Sequence, residues 1–88
     1  MEFRWNQWNV EHIAQHGVSP EQAEEVVRGA TRPYPLYAKD DKWLVWGRTL
    51  GGDLLQVVFI IDEDDSVFVI HARPLTKNEK KRYRRGMK

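Results

Sequence analysis

Hydrophobic positions change their period along the chain, and each change marks an element. Leu54 to Ile61 reads LLQVVFII, apolar except for Gln56. So short and apolar a run, set between Gly51-Gly52-Asp53 and the acidic Asp62–Asp65, predicts a strand at the centre of a sheet covered on both faces. Lys42–Thr49 before it and Val67–Arg73 after it are rich in β-branched and aromatic residues, and they predict its antiparallel neighbours. Glu2-Phe3-Arg4-Trp5 alternates polar and apolar, the pattern of a short edge strand. Residues 31–41, with Pro33, Pro35, Tyr34 and Tyr37, read as a connector with room for one more short edge strand.

Two stretches carry a helical period instead. Asn6 is a good N-cap for a helix reaching His16, with Gly17 suited to the left-handed position that ends it. On its wheel Val10, Ile13 and Ala14 cluster on one side, and Trp8, His12 and His16 lie on the other at a spacing of four. Ser19, Pro20 and Gln22 form an N-cap, a first-turn proline and a capping box. The stripe Ala23, Val26, Val27, Ala30 then predicts a helix packed on the sheet, with Glu21, Glu24 and Glu25 outside. The expected fold class is α+β: an antiparallel sheet of three to five strands, two N-terminal helices, and one helix after the sheet.

The closing stretch, Val67 to Tyr83, switches from strand to helix. Strict alternation puts His71 and Arg73 on one face with Val67 and Val69, and Phe68, Ile70 and Ala72 on the other. Pro74 ends the ladder because it has no N–H to donate. Thr76 with Glu79 three residues later is a capping box, so a helix runs from about Lys77 to Arg85. This element brings His71 and Arg73 at a strand end close to Lys77, Lys80, Lys81, Tyr83 and Arg84, a suitable place to handle a phosphate.

Charge sharpens that reading. The 88 residues suggest a single domain over 1–88, with a net charge of only +1. Residues 73–88 nevertheless hold eight of the fourteen Lys and Arg against one acid, Glu79, while residues 1–72 hold six basic and twelve acidic residues. A basic tail joined to an acidic body points to an anionic partner, nucleic acid first and an acidic protein second. There is no cysteine, which excludes disulfides and thiolate metal sites. His12 and His16 have metal-ligand spacing, but no third His or Cys stands near them in sequence. They are expected to be a plain surface pair, with a role facing a partner or RNA as the alternative, and with no metal and no cofactor. No apolar run approaches the roughly 20 residues that span a bilayer, and no signal peptide opens the chain. A cytoplasmic protein without membrane contact is the expectation.

An ordered set of pieces carries a family resemblance over nearly the whole chain. Trp5 is followed by HGVS at His16–Ser19 leading into EQAEEV. GRT stands at Gly47–Thr49, then a Gly-Gly turn into LLQVVF, and IHARPLTKNEKKRY closes the chain. This order resembles the BrnT family of bacterial type II toxins. The resemblance implies a RelE-like fold, metal-independent RNA cleavage, and a BrnA-type antitoxin that covers the catalytic face by adding a helix or strand. It departs at Asn6 and Asn9, where many members carry an acid and a lysine. It departs also at His71, where a small residue is common, and at Pro20, which replaces an aromatic.

RNA can be cut by its own 2′-hydroxyl. An enzyme must then remove one proton, donate another and stabilise charge on the phosphoryl oxygens. Arg48 and Arg73 are the candidates for the charge, because a guanidinium fork matches two phosphate oxygens. His71, Glu79 and Tyr83 are the candidates for proton transfer. Lys77, Lys80, Lys81, Arg84 and Arg85 would gather RNA. Each has a plainer alternative: Glu79 in its capping box, Tyr83 in the core, His71 satisfied within the sheet, Arg73 paired with Glu79 or with the turn at Asp62–Asp65. A non-catalytic, toxin-like module binding nucleic acid or protein is the alternative function. Convergence of Arg48, His71 and Arg73 on one surface would favour the enzyme. An oligomer is compatible with either reading.

Overall fold

The computed structural model describes residues 1–86, so Lys88 of the basic tail lies outside the described residues. The elements follow in the order α1 (Gln7–Ala14), α2 (Pro20–Arg28), β1 (Leu36–Ala38), β2 (Lys42–Arg48), β3 (Leu54–Ile61), β4 (Val67–Pro74) and α3 (Lys77–Gly86). The four strands form one antiparallel meander, β1-β2-β3-β4. β3 has the expected bounds and lies inside the sheet. Only one of its faces is fully covered: Leu55, Val57 and Phe59 are buried, whereas Gln56, Val58 and Ile60 are half-buried and Ile61 is exposed.

The covered face packs on α1 and α2. Val45, Val57, Phe59, Val67, Val69 and Ala72 of the sheet meet Ile13 of α1 and Ala23, Val26 and Val27 of α2 in one core. The capping box expected for α2 is formed, with Gln22 N–H donating to Ser19 Oγ and Ser19 N–H donating to Gln22 Oε1. Close approach of α2 to β2 depends on Gly47. A Cβ placed there would lie 3.1 Å from Val26 Cγ1 and 3.4 Å from the Val26 carbonyl oxygen. Gly47→Ala should therefore destabilise the fold by about 1–3 kcal/mol through overpacking, read as a lower denaturant midpoint with an unchanged slope.

β4 departs from strict alternation. Val58 pairs with His71 and Phe59 with Val69, so Ile70 is an extra residue on β4. Such a bulge shifts the side-chain phase by one residue. Val67 and Val69 face the core before it and Ala72 faces the core after it. The expectation that His71 and Arg73 share a face with Val67 and Val69 is therefore wrong. They lie on the opposite face, paired with Val58 and Gln56.

α1 guards the outer edge of β4. Phe3 forms a parallel bridge with Val67, in which Arg4 N–H donates to the Val67 carbonyl and Val67 N–H donates to the Glu2 carbonyl. The expected N-terminal strand is thus a single bridge at the sheet edge. α1 ends at Ala14 instead of His16, followed by a turn in which Gly17 has φ +74°. Its buried positions are Asn9 and Ile13, not the expected Val10–Ile13–Ala14 stripe. Asn9 completes a reciprocal capping box with Asn6, and its Nδ2 donates to the carbonyls of Arg4 and Val69. The two asparagines at which the sequence departs from the family pattern are therefore the cap and anchor of α1.

Candidate functional site

The second sheet face carries the candidate residues, and α3 reaches over one end of it. Thr76 and Glu79 form the expected capping box: Thr76 N–H donates to Glu79 Oε1 at 2.8 Å and Glu79 N–H donates to Thr76 Oγ1 at 3.2 Å. No residue of α3 is fully buried. Three contacts seat the helix on this face. Arg73 pairs with Glu79, the Arg82 guanidinium lies 5.2 Å from the Trp46 ring centroid, and the Tyr83 ring lies 6.3 Å from that of Tyr34.

Arg73 is the hub of the arrangement. Its Nη1 donates to Glu79 Oε1 at 2.7 Å and to the Pro74 carbonyl at 3.0 Å. Its Nη2 donates to Glu79 Oε2 at 2.8 Å and to Gln56 Oε1 at 3.3 Å. The same Gln56 oxygen accepts from Trp46 Nε1 at 3.0 Å. Trp46, Gln56 and Arg73 thus form one row across β2, β3 and β4, as their pairing requires. Of the two ion pairs expected for Arg73, the one with Glu79 forms. The acidic turn at Asp62–Asp65 is held by Arg4, whose Nε donates to Asp62 at 2.7 Å.

His71 is the next residue along that face. Its ring lies 5.4 Å from that of His16 and 6.2 Å from that of His12, and Trp8 stacks on His12 at 5.0 Å. A third histidine therefore does approach His12 and His16, supplied by the bulged strand. Among the described residues, however, no group of three or more His, Cys, Asp or Glu is arranged to hold a metal ion. Partial burial pushes the His71 imidazole below its ordinary pKa, and the neighbouring His16, Arg73 and His12 act in the same direction. His71 is thus neutral near pH 7, the state in which it can accept a proton.

Glu79 is in the opposite condition. The Arg73 guanidinium, helped by the Thr76 N–H, lowers its carboxyl pKa from 4.5 to about 2. A carboxylate held so firmly in its charged form is a weak base near neutrality and is better suited to fixing Arg73. Because the folded-state pKa is depressed, the stability contributed by this pair is complete above about pH 4.5 and is lost as pH falls through about 2. Thermal unfolding across that window should show a steeper acid loss for the parent than for Arg73→Ala. Equal slopes would assign the acid sensitivity to the half-buried Asp62 and the exposed Asp64, whose pKa values are lowered by Arg4 and Ser66 respectively.

The remaining candidates divide between surfaces. Arg48 is exposed at the end of β2, on the face of Trp46 and at the end of the sheet where Arg73 and Pro74 lie. It makes no ion pair among the described residues. Tyr83 is half-buried against Tyr34. Lys80 and Arg84 line a cavity of about 310 Å³ with Gly17, Gln22, Asp53 and Leu54. Lys77, Lys81 and Arg85 are exposed. Three members of the face were not among the expected site residues: Trp46, Gln56 and Arg82. Gln56 had a signal, as the one polar residue in LLQVVFII.

No protein-family model matches the chain, and no curated protein matches it. Among solved structures, it is similar to the 1.1 Å crystal structure of the Brucella abortus ribonuclease toxin BrnT. The two share 22% sequence identity with a TM-score of 0.70, over 88% of this chain and 99% of that one. The helices and the antiparallel sheet that carry the Trp46–Gln56–Arg73 row are thus arranged as a BrnT-like fold.

Proposed function

We propose that the chain is a ribonuclease toxin that cuts RNA by attack of a 2′-hydroxyl on the adjacent phosphate, without a metal. The observation that carries this reading is the gathering of Arg73 and His71 on one sheet face beside a basic helix, within a BrnT-like fold. Neutral His71 accepts the 2′-hydroxyl proton as the 2′-oxygen to phosphorus bond forms. Arg73 and Arg48 stabilise the charge on the phosphoryl oxygens. The bond to the 5′-oxygen breaks, and Tyr83 supplies the proton that oxygen needs. Glu79 positions Arg73 and takes no proton. Lys77, Lys80, Lys81, Arg84 and Arg85 supply the field that gathers RNA.

A BrnA-type antitoxin is the proposed protein partner. The half-buried Leu44, Val58 and Ile60 and the exposed Leu36 lie on the candidate face outside the α3 contacts, and they supply apolar surface for it. No helix of the described residues is long and apolar enough to cross a membrane.

Incubating the purified chain with single-stranded RNA in excess chelator tests the chemistry. Cleavage should leave 2′,3′-cyclic phosphate ends, and an RNA with a 2′-deoxy residue at the cut site should resist it. For binding of the resistant RNA, six engaged phosphates would give a log–log salt slope of roughly −4, at ~0.7 per contact. Salt-dependent binding without cleavage would favour the non-catalytic module, for which the engagement of Arg73 by Glu79 and Gln56 already speaks. A flat salt dependence would remove nucleic acid as the target of α3.

A further inference from the structure

A second cavity, of about 340 Å³, lies where α3 meets the connector between α2 and β1. Thr31, Arg32, Pro33 and Tyr34 line one side, and Arg82 and Tyr83 line the other. Among the described residues, no acidic one lines it. Neither Arg32 nor Arg82 has a carboxylate partner among the described residues. We infer that this cavity is a nucleotide subsite, in which a base of single-stranded RNA stacks on Tyr34 and Tyr83 while Arg32 and Arg82 hold its phosphates. The inference rests on the proposal that the chain acts on RNA, and it deepens that proposal by placing one nucleotide.

Three observations carry it. The first is the composition of the walls. Aromatic rings beside guanidinium groups that have no carboxylate partner among the described residues suit a ligand that is flat at one end and anionic at the other, as in sites for single-stranded nucleic acid. Burial raises the Tyr34 pKa, with a smaller contribution from Tyr83, so its ring is an uncharged surface near neutrality. The second is geometry. The Tyr34 and Tyr83 rings are 6.3 Å apart and tilted by 36°, not closed into a parallel stack, and both line the cavity. The third is continuity with the phosphate-handling row. Tyr34 lies 6.3 Å from Trp46, Arg82 lies over Trp46, and Trp46 reaches Arg73 through Gln56. A strand whose reacting phosphate sits at Arg73 can therefore lay a neighbouring base in this cavity. An acidic peptide would meet the same two arginines but would have no use for the tyrosine rings at the end of that row.

The test is a coupling measurement on the full chain. Its probe is a short single-stranded oligonucleotide with 2′-deoxy residues throughout, which cannot react by its own 2′-hydroxyl. One base at a time is removed to leave an abasic site, and affinity is measured for the parent, Tyr34→Ala, Tyr34→Phe and Arg82→Ala. One abasic position should cost about tenfold in the parent and nearly nothing in Tyr34→Ala, because stacking on that ring is then already lost. Tyr34→Phe keeps the ring face and should retain both the parent affinity and the abasic penalty. Arg82→Ala should weaken every probe and flatten the salt slope by about one contact. A merely structural role for Tyr34 would lower affinity equally for all probes, leaving the abasic penalty in place, and that result overturns the subsite. So does an abasic scan with no sensitive position, or no binding at all. Position-specific coupling in a chain that never cleaves RNA would uphold the subsite and overturn the ribonuclease reading alone.

Discussion

Arg73→Ala is expected to lower RNA cleavage by about a hundredfold or more, the loss that follows removal of a preorganised group from a developing anion. Arg73→Lys should recover little, because an ammonium keeps the charge but not the fork. The network around Arg73 makes the experiment more informative than a single variant. Four of its five N–H donors are engaged by Glu79, Gln56 and the Pro74 carbonyl. A phosphate must therefore compete with Glu79 for the fork or bind at its remaining Nε edge. Glu79→Gln separates these roles. Glutamine is also accepted at the third position of a capping box, so α3 keeps its start while the ion pair is lost. If Arg73 handles phosphate and Glu79 only positions it, Glu79→Gln should retain far more cleavage than Arg73→Ala. Equal losses would mean that the pair acts as one structural unit. Arg73 variants that cleave like the parent, or that only melt earlier, would remove Arg73 from the site.

Much of this surface was legible from local signals, and the rest was not, for identifiable reasons. The strand at Leu54–Ile61, the capping boxes at Ser19–Gln22 and Thr76–Glu79, and the turn signals are properties of a few adjacent residues, and all appear where the sequence puts them. The bulge at Ile70 is a property of pairing between β3 and β4, and nothing within VFVIHARP announces it. It reverses the face on which His71 and Arg73 stand, and so it creates the row with Gln56 and Trp46. The approach of His71 to His12 and His16 depends on where α1 lies along the β4 edge, which is tertiary information. Arg82 was indistinguishable from its basic neighbours until its position over Trp46 set it apart. Similarly, Asn6 and Asn9 looked like losses from a family pattern, yet their side chains do structural work that only the fold reveals.

Asn9→Ala is expected to be among the most destabilising single changes in the chain, costing about 2–4 kcal/mol. Asn9 is fully buried, and its side chain meets three backbone groups. Its Oδ1 accepts from Asn6 N–H at 2.8 Å, and its Nδ2 donates to the carbonyls of Arg4 at 3.2 Å and Val69 at 3.1 Å. Alanine would break the capping box, worth about 1 kcal/mol, and leave polar groups unpaired, at about 1–3 kcal/mol for each that stays buried. The Val69 carbonyl adjoins the bulge, so the same change loosens α1 from the strand that presents His71. Asn9→Asp is the sharper variant. It keeps the acceptor toward Asn6 but puts an oxygen where Nδ2 faced two carbonyls. A carboxyl there would have a raised pKa, since its protonated form can donate and its ionised form cannot. That variant should be strongly destabilised at pH 7 and should regain stability as pH falls toward its folded-state pKa, opposite to the acid loss expected from Glu79. Denaturant titrations of parent, Asn9→Ala and Asn9→Asp at pH 7 and pH 5 would read this directly. An Asn9→Asp variant as stable as the parent at pH 7, or one that weakens further on acidification, would show that α1 is not anchored to β4 through this side chain.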